Sequence, residues 1–213
     1  MRPFLIICLL AFLQVAAFGQ RQLMLKSNPL YLLVPQRSTM PVGLEYSLDN
    51  FSVQVEQMLM LRKRTNLGVE RNIRYFRSNA QLRYYFDFSE RKNKGYFGVH
   101  GTVRDHTYFR TFGSYIRAGG ETGNYRNSRI NATNRAFYLI SGVQHSIGPE
   151  LSVEFTAGLG ARRLSVRHDP ESFEPGPIDA LLTEDFEENW REGSRVLPAL
   201  LLQFRFNYIL FRK

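Results

Sequence analysis

The side chains with the clearest chemical potential are carboxylates and arginines set singly into apolar segments. Glu45, Glu56, Arg83, Glu154, Arg162 and Arg205 each alternate with hydrophobic neighbours at period two. In an extended chain that spacing puts all six on the face opposite the apolar set. Ionised groups gathered on one enclosed face form either a salt-bridge core or a narrow polar path. The core is the expectation, because buried charges must be paired and hydrogen-bonded. No two carboxylates have a spacing that dedicates them to acid–base work. The histidines are His100, His106, His145 and His168, and none stands in a His-x-x-x-His pattern. His145 precedes Ser146, the residue pair of a lipid esterase, but both fall beside a short turn, away from the outer leaflet where such an enzyme would meet its substrate. Asn131-Ala132-Thr133 matches a glycosylation sequon and is read as chance. No catalytic residue, metal or cofactor is expected.

Two charged stretches are candidate interaction surfaces. Arg62, Lys63 and Arg64 open a basic segment over 62–72, suited to lipopolysaccharide phosphates or to pairing with an acidic loop. The acidic loop is 168–195, where nine carboxylates between Asp169 and Glu192 face Arg191 alone. Within it Glu184, Asp185, Phe186, Glu187, Glu188 and Trp190 are the candidate contacts. Leu182, Phe186 and Trp190 recur at i, i+4, so a short helix over 178–190 is expected. Its apolar stripe would cap a barrel mouth; docking of a partner or a divalent cation is the functional alternative. The acid spacing does not match a calcium loop.

The elements that must carry these residues follow from the N-terminus onward. Arg2, an apolar run from Phe4, and Ala17-Phe18-Gly19 have the layout of a signal peptide cleaved after Gly19. That gives residues 1–19 as signal and 20–213 as one exported domain. Cys8 is the only cysteine, so the exported part has no thiolate, disulfide or cysteine metal site. Lys and Arg number 28 against 19 Asp and Glu, a net charge of +9, but export argues against nucleic acid as the partner.

Alternation at period two predicts strands near 22–34, 39–49, 51–62, 73–88, 95–111, 134–146, 150–167 and 196–210. It is clearest in 150–167, where Leu151, Val153, Phe155, Ala157 and Leu159 oppose Ser152, Glu154, Thr156 and Gly158. Short connections at Asp49-Asn50, Ser89–Lys94 and Ile147–Pro149 alternate with mostly longer ones near 63–72, 112–133 and 168–195, the first, near 35–38, being a short exception. Membrane barrels have short periplasmic turns and longer outer loops. Alternation alone leaves open which face is wet. The 28 Tyr and Phe residues, the loop pattern and the terminal aromatic strand Phe204–Phe211 favour the membrane.

Lys26-Ser27-Asn28-Pro29-Leu30-Tyr31, Pro41-Val42-Gly43-Leu44-Glu45-Tyr46, Asn79-Ala80-Gln81-Leu82-Arg83-Tyr84-Tyr85-Phe86 and Gly95-Tyr96-Phe97-Gly98-Val99-His100-Gly101 follow one another. This series resembles a family of uncharacterised outer-membrane β-barrel proteins, a domain-of-unknown-function class of Gram-negative bacteria. The resemblance covers 22–110 well and continues loosely through Gly142 to Gly160. It implies location and fold, and supplies no activity.

The expected fold is all-β: an eight-stranded antiparallel up-and-down transmembrane β-barrel after a cleaved signal peptide. The expected role is a non-enzymatic outer-membrane protein in contact with lipid and lipopolysaccharide. Its charged extracellular loops, including a Gly- and Asn-rich loop over 113–134, would be open to a protein partner. Two other classes are a soluble secreted lipocalin-like carrier of an apolar ligand and a membrane-embedded lipid-modifying enzyme.

Overall fold

A computed structural model describes residues 21–28, 39–60, 66–67, 70–89, 93–177 and 188–212. The expected signal peptide lies outside them. Eight strands follow in chain order: β1 (Arg21–Ser27), β2 (Thr39–Leu48), β3 (Phe51–Met60), β4 (Glu70–Ser89), β5 (Asn93–Ile116), β6 (Thr122–Ser146), β7 (Leu151–Pro170) and β8 (Gly193–Arg212). Each pairs antiparallel with the next, and β8 pairs with β1. The sheet is thus a closed up-and-down barrel with no free edge along the ring, which satisfies the backbone polar groups within the wall. Among the described residues no helix is long and apolar enough to cross a membrane, which says nothing of strands.

Short turns at Asp49-Asn50 and 147–150 and the paired residues Ser89 and Asn93 lie at one end together with Arg21 and Arg212. Asp49 takes the left-handed conformation (φ 51°), which Asp tolerates better than most residues. Residues 171–177 and 188–192 belong to the opposite end.

The wall is inside-out near the turns. Leu44, Phe51, Val55, Leu82, Phe97, Leu139, Leu159, Leu200 and Leu202 are exposed on the outside, while Glu45, Gln54, Glu56, Gln81, Arg83, Glu154, Arg205 and Asn207 are buried within. Farther from the turns the polarity reverses. On β7 the apolar positions are odd and outward through Leu159, then even and inward at Leu164 and Val166. The β6–β7 register runs unbroken across this change, so the chain has not slipped; the apolar positions themselves change phase.

This reversal overturns the expected loop over 113–134. β5 continues to Ile116 and β6 begins at Thr122, leaving a tight turn in which Gly120 (φ 89°) donates its amide to Arg117 O. Inside the extension Tyr108, Tyr115, Tyr125, Ile130, Ala132, Leu164 and Val166 form an apolar core. Phe112 (φ 57°) kinks β5, so Tyr108 before it and Tyr115 beyond it both reach that core. The loop expected over 168–195 is likewise shorter, its ends being strand. Of the expected 178–190 helix only 188–190 is described, as a single 3-10 turn.

Glycine fits the wall at Gly142. A Cβ there would land on the Tyr96 hydroxyl and on the Phe155 carbonyl oxygen, and Tyr96 is fully buried. Gly142→Ala is expected to lower stability by roughly 1–3 kcal/mol through overpacking, read as a lower denaturant midpoint of the refolded barrel.

Candidate functional site: the barrel interior and its outer cap

Six ionised side chains meet inside the turn-proximal half, one from each of six strands: Lys26 (β1), Glu45 (β2), Glu56 (β3), Arg83 (β4), Glu154 (β7) and Arg205 (β8). Glu154 is the hub. Its Oε2 accepts from Arg83 Nη1 at 2.8 Å and its Oε1 from Arg83 Nη2 at 2.9 Å. Oε1 also accepts from Arg205 Nη1 at 3.1 Å, and Oε2 pairs with Lys26. Glu45 pairs with Lys26 and with Arg83 Nη1 at 3.1 Å, and accepts the Tyr85 hydroxyl at 2.7 Å. Glu56 takes Arg205 Nε at 3.0 Å and the amide of Asn79. Three cations and three carboxylates leave no net charge. β5 contributes the Tyr96 ring, 4.4 Å below the Arg83 guanidinium, with its hydroxyl 2.5 Å from Thr156 Oγ1. β6 contributes the space left by Gly142.

Above the ions lies an uncharged polar layer. Gln81 Nε2 contacts His100 Nδ1 at 2.6 Å, and Gln81 Oε1 accepts from Arg83 Nε at 2.8 Å. Below them a cavity of about 460 Å³ opens at the turn end, lined by Arg21, Lys94 and Arg212 at its rim and by Met24, Tyr85 and Gln144. These last three are buried.

Of the six interior residues picked from sequence, five share this cluster. Arg162 faces inward but half-buried near the apolar core, and none of the cluster's ion pairs includes it. Lys26 was missed, although the signal was present: it alternates with Leu23 and Leu25, which face out. His145 sits at the turn end with Nδ1 2.5 Å from Asn93 Oδ1, away from the ion cluster. Among the described residues no group of three His, Cys, Asp or Glu side chains could hold a metal. Arg62, Lys63, Arg64, Glu184, Asp185, Phe186 and Glu187 lie outside the described residues. Glu188 begins the 3-10 turn, and Trp190 is half-exposed.

The outer end is closed by chain that returns from β7. Glu174-Pro175 pairs with Gly123-Asn124 on β6, and Glu192 N donates to Ile116 O at 2.8 Å. Phe173 packs on Tyr115 and under Arg117, whose guanidinium is 3.7 Å from its ring centre. His168 is the hinge of this cap. Its ring stacks on Tyr115 at 4.2 Å, nearly parallel, and its Nε2 donates to the Asn189 carbonyl at 2.7 Å. Burial holds the imidazole below its usual range, opposed by the Asn189 bond and the Glu192 carboxylate and helped by Arg110.

A family model described as "Protein of unknown function (DUF3575)" matches residues 4–174. No curated protein matches. Two solved barrels are similar in outline. CarO of Acinetobacter baumannii has 10% identity and a TM-score of 0.46, with 88% of this chain and 96% of that one covered. Neisserial surface protein A has 11% identity and a TM-score of 0.34, with 89% and 94% covered.

Two outcomes follow from this geometry. Glu154→Gln leaves three buried cations facing two carboxylates, and is expected to cost roughly 3–5 kcal/mol, measured as a fall in the unfolding midpoint. For the cap, a histidine held below its unfolded pKa of about 6.5 contributes stability above that value and loses it as pH falls toward its folded value. Trp190 fluorescence, the only tryptophan signal, is therefore expected to be flat above about pH 6.5 and to change below it. His168→Gln should flatten that change.

Proposed function

The chain belongs to DUF3575, a family described only as proteins of unknown function, and we propose that it is a non-catalytic structural or interaction barrel of the outer membrane. The observation that carries this is the reversal of side-chain polarity along β7. Leu151, Phe155 and Leu159 are exposed on the outside, whereas Leu164 and Val166 are buried inside. A wall in water throughout would hide its apolar face along its whole length. A wall that leaves lipid partway must switch faces where it does.

The dimensions agree. From Leu151 to Ala161 the strand rises ~33 Å at ~3.3 Å per residue, and tilt of ~40° reduces this to ~25 Å, the height of an outer-membrane apolar band. Aromatic side chains crowd its turn-side edge, with Phe51, Tyr84, Phe97 and Phe86 in ring contact in sequence. Both described chain ends and the short turns share one end, which corresponds to the periplasmic side. The interior supports a structural role: each cluster carboxylate already holds a cation, and eight strands enclose little more than their own side chains. The acidic 168–195 and basic 62–72 segments would then meet the outside and any partner there.

The test is fractionation of the expressed protein, with boiled and unboiled samples compared on a denaturing gel. Recovery in the outer membrane with a heat-dependent mobility shift is expected. Soluble recovery without a shift would replace this reading with the lipocalin-like carrier.

A further inference from the structure

We propose that the outer faces of β6 and β7 carry a binding site for the phosphate of a glycolipid headgroup of the lipopolysaccharide type, built on Arg135 and Arg163. This rests on the outer-membrane reading. The two arginines are direct cross-strand partners, and both are exposed. Like charges directly opposite on one sheet face repel, with Cβ atoms only ~5 Å apart. Among the described residues no ion pair engages either one. The row they share is otherwise apolar, Val103 on one side and Val196 on the other, both exposed. Nothing in the row offsets the repulsion, so an anion from outside the chain is the natural counter-charge.

The level of the pair identifies the source of that anion. Directly toward the turns lie Phe137 and Ala161, then Leu139 and Leu159, and the last pair are 65% and 70% exposed. Arg135 and Arg163 are therefore the first outward charges beyond the apolar band, at the depth of headgroup phosphates. The next outward pair is Thr133 and Ser165, and the next is Asn131 and Arg167. These supply hydroxyl, amide and guanidinium donors above the same spot. Arg163 is already oriented, its Nε donating to Ser194 Oγ at 2.9 Å. The nearest outward acids are Asp105, opposite Thr133, and Asp169, opposite Arg129, so the patch keeps an excess of cations. Two guanidinium forks side by side match the several acceptor oxygens of one phosphate monoester. The patch is local: at the same level β8 offers Val196 and Ser194, and β5 offers Val103.

The experiment uses the refolded full chain in phosphatidylcholine vesicles, alone and with added lipid A in phosphorylated or dephosphorylated form. The wild type and Lys94→Gln, at the turn end, should bind phosphorylated lipid A and unfold at higher denaturant in its presence. The Arg135→Gln/Arg163→Gln double variant should insert equally well in phosphatidylcholine yet bind phosphorylated lipid A roughly tenfold or more weakly. Equal binding by wild type and double variant, or equal binding of dephosphorylated lipid A, overturns the proposal while leaving the barrel reading intact. Saturation of the site by millimolar inorganic phosphate would overturn the lipid source. Failure of the wild type to insert in any vesicle overturns the membrane reading itself, and the site with it.

Discussion

The carboxylate of Glu154 joins three strands at once, through Lys26, Arg83 and Arg205, and the arrangement of the lower barrel follows from keeping that charge satisfied. A wall whose outside is apolar has only its inside for polar side chains. Inside eight strands there is no bulk water to solvate an ion. Each charge must therefore find its opposite within reach, and the group as a whole must be neutral. The cluster meets both conditions, with six strands giving one ion each and the other two giving an aromatic face and an empty Cβ position. Replacing such a network by apolar side chains can be neutral in energy, whereas breaking one member is costly. Its advantage is in register: a strand shifted by one residue would carry its ion out of the cluster and its Leu or Phe into it.

The upper barrel obeys the opposite rule with the same chain. Beyond Arg163 the outside of β7 is polar, while Phe76, Phe109 and Phe112 remain exposed on neighbouring strands, and Tyr108, Tyr115, Tyr125, Ile130, Leu164 and Val166 turn inward to make an ordinary apolar core. Between the two zones the amide and histidine layer of Gln81, His100 and Asn79 grades one environment into the other. Described chain on either side of the mouth adds to this core: Phe173 and His168 pack on Tyr115 as further core residues. Ions occupy the barrel at one level and tyrosines at another.

The lower barrel was legible in the sequence because its alternation keeps one phase over each strand, as in Leu151 to Leu159. Glu45, Glu56, Arg83, Glu154 and Arg205 could be assigned to one face before any coordinates. Lys26 escaped because β1 is short and its alternation brief. The upper barrel was not legible because the phase inverts. An apolar set that moves from odd to even positions between Leu159 and Leu164 reads as loss of pattern, and polar stretches such as Asn124–Asn134 read as loop. Arg162, expected on the same inner face, falls where the two zones meet, facing inward but above the ions. Pattern reading assumes one apolar phase along a strand, and this wall has two.

Where the phase inverts, the outside also changes from leucine to arginine, and this coincidence explains why surface charge here is not mere solubility. An exposed arginine on a soluble sheet can turn into water and find counter-ions anywhere. On the proposed membrane reading, an arginine at the rim of the apolar band would lay its stem along hydrocarbon and reach outward with its head, which would confine its partners to one thin layer. Arg135 and Arg163 share that layer, and their register holds them together through the continuous β6–β7 ladder. Because the ladder is held by the ions below and the tyrosines above, the backbone positions from which the two side chains extend are set by the barrel. On the proposed membrane reading, such a barrel would hold this pair of charges in fixed register at the edge of the lipid.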